Sequence, residues 1–461
     1  YRIYTLNSFY HTPGSVTTIS SSDINDEELS LLKMVPRLSF DSSSTSLEDE
    51  INKLQSNNKI SNYKKPNFQI NNPELFSNDK LKFNNTYGGF KNNGREYVIT
   101  NSDTPTPWSN VICNKNMGSI ITNNGCGYTY CYNSGEYKIT SWTNEMVVND
   151  KSEGLKINGL IFDPYKCTHG FGYSVLESVT DFFSESLTEF IATDDNVKIY
   201  IFKIKNNDTK KHNIDLSFWL NPTLGNFEEK TSRHILSEFI NDKNYMKLRN
   251  VYSIDYSDVN VFMSSSETIS GADTDKILVK SINNKIVLNS NEEKEIVFLL
   301  GATKDEDEID TLISKYGNIN SAKKEFNNVK KYWLSLIGNI QVKTDDESFD
   351  YMINGWYLYQ TIASRIMAKA GFYQVSGAFG YRDQLQDAMN ICLVEKDFTR
   401  NQILINASHQ FVQGDVLHWW HENIKMGLRS RYKDDFLWLV YAVNQYIKIT
   451  SDYKILDEKI P

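Results

Sequence analysis

Val197-Lys-Ile-Tyr-Ile-Phe-Lys-Ile-Lys-Asn206, a polar turn reaching Asn213, and Ile214-Asp-Leu-Ser-Phe-Trp-Leu220 form the stretch whose period decides the fold. Val197, Ile199 and Ile201 alternate with polar or exposed positions, and Ile214, Leu216, Phe218 and Leu220 alternate in the same way. A period of two sends successive side chains to opposite faces, so this reads as two antiparallel strands joined by the turn. Further runs at Tyr97–Thr100, Lys276–Ile282, Lys285–Leu288 and Glu295–Leu300, separated by Asn, Gly and Asp clusters, repeat the pattern. Many short strands at short spacing predict an antiparallel β-sandwich over residues 81–302.

Outward from this block the period changes. Ile309, Leu312, Ile313 and Tyr316 stand at helical spacing behind the acidic turn Asp305–Glu308, and a second helix is expected over about Ser321–Ile337. Residues 303–344 therefore read as a helical linker. Thr344 followed by Glu347 is a capping-box pattern, and Phe349–Lys369 and Arg400–His409 carry apolar helical faces. From residue 345 to 461 the pattern predicts helices without intervening strands. Residues 1–80, rich in Ser, Asn, Asp and Lys, read as a lead-in with short helices at Asp26–Met34 and Ser46–Leu54; Thr45 and Glu48 supply a capping pattern for the second.

The chain has 461 residues, with 58 Asp plus Glu against 49 Lys plus Arg, for a formal charge of −9. That balance excludes a broad electrostatic grip on nucleic acid or anionic lipid. No run approaches the ~18 apolar residues of a membrane span, and Tyr1–Tyr10 does not resemble a signal peptide. The five cysteines, Cys113, Cys126, Cys131, Cys167 and Cys392, lack zinc-type spacing and read as reduced, cytoplasmic thiols. The sequence does not begin with Met, which suggests part of a longer polypeptide. Aromatic residues make up 13%, which suits either large-ring packing or platforms for the C–H faces of sugars.

Three clusters carry polar chemistry. In the first, a Gly-rich loop (Gly371, Gly377, Gly380) delivers Arg382, Asp383 and Asp387 to the start of a helix. Asp383 and Asp387 share a face at i and i+4, and Arg382 can offer a bidentate fork to an oxygen ligand. Spacing leaves equally open that Asp383 caps the helix with Arg382 as its surface partner. The second cluster holds Asp415, His418, Trp419, Trp420, His421, Arg429, Arg431, Asp434 and Asp435. His-x-x-His without a third ligand reads as two buried, hydrogen-bonded imidazoles more readily than as a metal site, and the mixture suits a polyol pocket. The third, Trp108, Asn110 and Trp142 behind Pro105 and Pro107, fits a structural edge of the sandwich or a binding surface.

These strings together resemble glycoside hydrolase family 94, the inverting β-glucoside phosphorylases. Tyr87-Gly-Gly-Phe90, Asn93-Gly-Arg-Glu-Tyr-Val-Ile99, Thr106-Pro-Trp-Ser-Asn-Val-Ile112, Gly371-Phe-Tyr-Gln374, Gly380-Tyr-Arg-Asp-Gln-Leu-Gln-Asp387, Gln413-Gly-Asp-Val-Leu-His-Trp-Trp-His421 and Asp434-Asp-Phe-Leu-Trp-Leu439 carry the resemblance, in order, over about 81–461. Within the family they look most similar to enzymes of β-1,2-glucans, both 1,2-β-oligoglucan phosphorylases and the phosphorylase-like region of cyclic β-1,2-glucan synthases. The resemblance implies a β-sandwich, a helical linker and the first part of an (α/α)6 barrel. It implies reversible phosphorolysis to α-glucose 1-phosphate with inversion, with inorganic phosphate as co-substrate and no metal or other cofactor. It further implies that Arg382 and Asp387 hold glucose hydroxyls, that Asp383 supports the helix start, and that His418, Trp419, Arg431 and Asp435 shape the neighbouring wall. A homodimer is the family-level expectation. The family's general acid, the last Asp of a Trp-Asn-Asp motif, does not occur in this sequence and is expected beyond Pro461. A chain without it would bind sugar or assemble with another subunit rather than turn over alone.

Overall fold

The structure, a computed structural model, describes residues 80–143, 151–275, 278–422, 424–430 and 432–460, together with 20, 22–29, 46 and 48. Residues 1–71 and 72–461 form separate compact units. In the first, Asn25 Oδ1 accepts from Glu28 N and Glu28 Oε2 accepts from Asn25 N, a capping box opening the expected helix at residue 26. Thr45 and most of Ser46–Leu54 lie outside the described residues.

The second unit begins with three antiparallel sheets. The ten-stranded sheet runs, in spatial order, Gly88–Lys91, Glu96–Ile99, Lys166–Gly170, Tyr173–Val179, Phe183–Ile191, Val197–Asn206, Glu293–Thr303, Asn260–Ser265, Tyr245–Asn250 and Ile235–Ile240. His212–Leu220 is the central strand of a five-stranded sheet, between Lys280–Leu288 and Glu153–Ile157. Lys280–Leu288 is one strand where the sequence suggested two runs; residues 276 and 277 are outside the described set. A second five-stranded sheet contains Ser109–Cys113, Met117–Thr122, Gly127–Cys131, Lys138–Thr140 and Pro222–Gly225.

The alternation at Val197 needs correction. Every residue from Val197 to Phe202 is buried. Tyr200, Phe202 and Ile204 pack inside the sandwich with Ile214, Leu216, Phe218 and Leu220. Val197, Ile199 and Ile201 face the other way, onto Ile309, Leu312, Tyr316, Val329 and Trp333 of the helices Glu308–Tyr316 and Ile319–Ile337. Covering helices turn a nominally outer sheet face into a second core, so neither face reaches water. Lys198 sits on the inner face at 0% exposure, with its ammonium on Glu153 at 2.5 Å and Glu189 at 2.8 Å.

The helix Ile319–Ile337 starts at Asn318, whose side chain accepts from Ser321 N at 2.9 Å. Its Trp333 lies so close to Gly172, at φ +82°, that a Cβ there would sit 2.2 Å from the indole. Residues 347–368 form a continuous helical rod with wide turns at Met352–Trp356 and Thr361–Ala368. The cap is Asp346, which accepts from Ser348 N and Phe349 N, rather than Thr344; the Thr344 hydroxyl instead donates to Asp350. This rod docks on the sheets through Trp356 Nε1, which donates to Gly94 O, and Tyr359 OH, which donates to Asn110 Oδ1 and Val111 O.

The helices Tyr381–Ile391, Lys396–Ser408 and Asp435–Thr450 share a core of Tyr381, Leu385, Ile403, Trp420, Ala442 and Tyr446. The expectation of uninterrupted helices fails here. Phe379–Gly380, Leu417–His421 and Met426–Arg429 make a three-stranded sheet, and Ala370–Gly371 pairs with Gln374–Val375. Strand pairs are non-local, and a run as short as Phe379–Gly380 carries no period to read.

Candidate functional site

The short sheet and the start of the helix Tyr381–Ile391 enclose a cavity of about 560 Å³. Gly380 is the helix N-cap, and its N–H donates to Gln384 Oε1. Asp383 therefore does not cap this helix. Arg382 and Asp383, in the first turn, both line the cavity.

The carboxylates of Asp383 and Asp387 converge as their spacing predicts, and the group they meet is Arg365 of the preceding rod. Arg365 Nε is 3.0 Å from Asp387 Oδ2, and Nη2 is 3.8 Å from Asp383 Oδ2. Arg382 bridges Asp383 at 3.5 Å and Asp434 at 3.1 Å. Burial raises the Asp387 carboxyl above its ordinary range, with Arg365 opposing.

Leu417–His421 supplies the opposite wall. Its Trp419 and His421 line the cavity, whereas Trp420 turns into the core between Phe379, stacked at 5.3 Å, and His409, at 4.1 Å. An irregularity in pairing between Leu417 and Trp419 re-aims His418, which also lines the cavity. His418 Nδ1 lies 2.8 Å from Asp435 Oδ2, and the Tyr432 ring stacks on the imidazole at 4.5 Å. His421 Nδ1 instead meets Asn133 Nδ2 at 3.2 Å. Among the described residues no three His, Cys, Asp or Glu side chains are grouped to hold a metal.

Of the residues expected from sequence, Arg382, Asp383, His418 and Trp419 line the cavity, while Asp387 and Asp435 stand one bond behind it through Arg365 and His418. Arg431 lies outside the described residues. Arg365, Lys369 and Asn133 were missed. The first two sit in a helix read only for its apolar face, and Asn133 belongs to a sandwich turn with no local signal for the cavity. Lys369 closes the rod in a left-handed conformation, φ 50°, with its ammonium 4.1 Å from the Phe379 ring centre. Burial pushes that amine down to about 8.

The third cluster is structural. Asn110 Nδ2 donates to Gly170 O and Tyr173 O while its Oδ1 accepts from Tyr359. Trp142 stacks on Tyr128 and meets Phe372 edge-on. Both tie the sandwich to the helical part. The five cysteines are buried and form no disulfide, and no helix among the described residues is long and apolar enough to cross a membrane.

A multi-sheet sandwich joined through a helical linker to the first part of an (α/α)6 barrel places the chain in the sandwich-and-barrel fold class. Residues 332–461 match the glycosyl hydrolase 94 superfamily catalytic domain, and residues 95–158 and 161–277 match the glycosyl hydrolase 94 supersandwich domain. The chain belongs to the glycosyl hydrolase 94 superfamily. It is 30% identical to the cyclic β-(1,2)-glucan synthase NdvB of Rhizobium meliloti (strain 1021), over 83% of this chain and 15% of that protein. It is 22% identical to the N,N'-diacetylchitobiose phosphorylase of Vibrio furnissii, over 81% of this chain and 56% of that protein. The chain thus spans a minor part of the first relative and about half of the second. Its fold is similar to a structure assigned as a kojibiose phosphorylase from the human microbiome, with a TM-score of 0.54 at 10% identity, covering 80% of this chain and 58% of that one.

Proposed function

We propose that this chain is the portion of a cytoplasmic carbohydrate phosphorylase that binds β-1,2-linked glucooligosaccharides and inorganic phosphate for reversible, inverting transfer to α-glucose 1-phosphate. The observation that carries the reading is the convergence of Asp383 and Asp387 on Arg365 beside Arg382, at the mouth of a cavity walled by Trp419. Carboxylates and guanidinium forks suit sugar hydroxyls, and an indole face suits the C–H surface of a pyranose. Arg365, Lys369 and Arg382 supply the positive charge that a phosphate dianion needs among the cavity residues.

In an inverting phosphorolysis, phosphate takes the place of the base-activated water of an inverting glycosidase, so the protein must contribute one proton donor. In this reading Arg382 and Asp387 orient the glucose whose bond breaks, Asp383 supports the helix start, and His418, Trp419, Arg431 and Asp435 form the adjoining wall. The proton donor is a carboxyl outside these residues, since the chain holds no Trp-Asn-Asp. No metal enters this chemistry.

A second reading is the phosphorylase-like part of a cyclic β-1,2-glucan synthase, favoured by the 30% identity to the Rhizobium enzyme. The test is to incubate the natural full-length protein with β-1,2-glucooligosaccharides and phosphate. Release of α-glucose 1-phosphate is expected, falling at least a hundredfold in Asp387→Ala, about 2.7 kcal/mol of transition-state stabilisation. Products of hydrolysis alone, or unchanged turnover in Asp387→Ala, would refute the assignment.

A further inference from the structure

Asn133 lies in the turn after the strand Gly127–Cys131 of the sandwich, remote in sequence from the cavity. Its Oδ1 accepts from Gly135 N and Glu136 N, both at 2.9 Å, which fixes the amide orientation and turns Nδ2 toward the helical part. There Nδ2 donates to Gly377 O at 3.2 Å and faces His421 Nδ1 at 3.2 Å. An amide nitrogen only donates, so the imidazole nitrogen facing it must accept, and the ring proton of neutral His421 then resides on Nε2. Burial lowers the His421 imidazole below its ordinary value, against the opposing pull of Glu136 and the Gly377 carbonyl. The ring is 6% exposed and lines the cavity, and two polar groups face it, the Asn133 amide at Nδ1 and the Gly377 carbonyl.

We propose that Asn133 is a positioning residue of the cavity, which locks His421 as the Nε2–H tautomer and so presents a hydrogen-bond donor to a hydroxyl oxygen of the bound sugar. The inference rests on the sugar-binding reading of the cavity and deepens it, because a residue of the sandwich sets the polarity of one wall. The turn is held closely. A Cβ at Gly377, φ +68°, would lie 2.1 Å from Asn133 Oδ1, and one at Gly135 would lie 2.2 Å from Ser376 O. Ser134 adds a hydrogen bond from its hydroxyl to Ala368 O at 2.7 Å.

The experiment is imidazole nitrogen NMR on the full chain carrying nitrogen-15 histidine, titrated with a β-1,2-linked glucotriose and separately with inorganic phosphate. The His421 proton is expected on Nε2, and that resonance moves with the trisaccharide but not with phosphate. Asn133→Asp supplies a carboxylate that takes an N–H from Nδ1, so the tautomer reverses and the trisaccharide Kd rises about tenfold. His421→Leu gives the same loss, whereas His421→Gln, whose amide nitrogen can stand near the Nε2 position, keeps most of the affinity. A proton on Nδ1 in the unaltered chain, directed at the Gly377 carbonyl, overturns the proposal without any variant. So does unchanged trisaccharide affinity in both Asn133→Asp and His421→Leu, or a His421 resonance indifferent to the sugar. Failure to form glucose 1-phosphate, with the tautomer and the sugar response intact, would instead refute phosphorolysis and leave this inference standing.

Discussion

Asp435 Oδ2 holds His418 Nδ1 at 2.8 Å, tying the first turn of the helix Asp435–Thr450 to the strand that walls the cavity. Asp435 is 1% exposed, and its position suits the positive end of the helix Asp435–Thr450. Asp435→Ala is therefore expected to cost about 1–3 kcal/mol by leaving a polar site unfilled, and to loosen His418 beneath Tyr432. Urea unfolding reads the first effect and sugar titration the second. An unaltered unfolding midpoint together with unaltered sugar affinity would show that the pair is idle.

Lys369 faces the cavity without a carboxylate at ion-pair distance among the described residues, and burial brings its amine down to about 8 from 10.5. Its folded value lies below its unfolded one, so the unfolded chain binds the proton more readily between those limits. This group's contribution to stability therefore rises as pH climbs from about 8 toward 10.5, and its full cost is present below pH 8. Lys369→Met should raise the melting temperature at pH 7, lose that advantage near pH 10.5, and weaken phosphate binding. A lower melting temperature at pH 7 would contradict the reading.

Inside the sandwich, Lys198 serves Glu153 and Glu189 together. Burial pushes the Glu153 carboxyl up, but Lys198 with Thr140 and Thr129 more than reverses this; Glu189, under the same burial, stays raised. Lys198→Met would strand two buried carboxylates and is expected to destabilise the fold by about 3–5 kcal/mol. Because the folded Glu189 value is raised, its stabilising effect is present below pH 4.5 and is lost as pH rises through the folded value. Glu189→Gln should flatten that part of the stability curve, whereas an identical curve would exclude Glu189 as its source.

Gly377→Ala places a Cβ against Asn133 and imposes a left-handed backbone on an L residue. A loss of about 1–3 kcal/mol is expected, together with weaker sugar binding, since the Asn133 contacts to Gly377 and His421 share one amide. Calorimetry and sugar titration on the same preparation check both effects. Normal sugar affinity in a destabilised variant would confine Gly377 to a structural role.

Much of the fold was legible because secondary structure leaves local marks. The alternation at Ile214–Leu220 marked a strand, and the spacing of Ile309, Leu312 and Tyr316 marked a helix, both found where expected. The convergence of Asp383 and Asp387 was legible for the same reason, as i and i+4 neighbours on one helix face. Lys198 was not: a lysine between apolar residues reads as solvent-facing until Glu153 and Glu189 are brought around it. Thr344 misled because the helix starts two residues later, at Asp346, whose carboxylate accepts from both Ser348 N and Phe349 N.

The sequence by itself determined the strand-rich and helix-rich halves, the helix that carries the Arg-Asp cluster, and the resemblance to family 94, because each depends on residue types at short, regular spacing. Only the tertiary structure decided that Arg365 stands between Asp383 and Asp387, that a small sheet interrupts the helices, and that Asn133 reaches His421 across 288 positions. Period reports what a residue does within its own element. Which residues meet across elements is set by how the sandwich, rod and barrel helices bury their faces on one another, and that is a property of the packed chain.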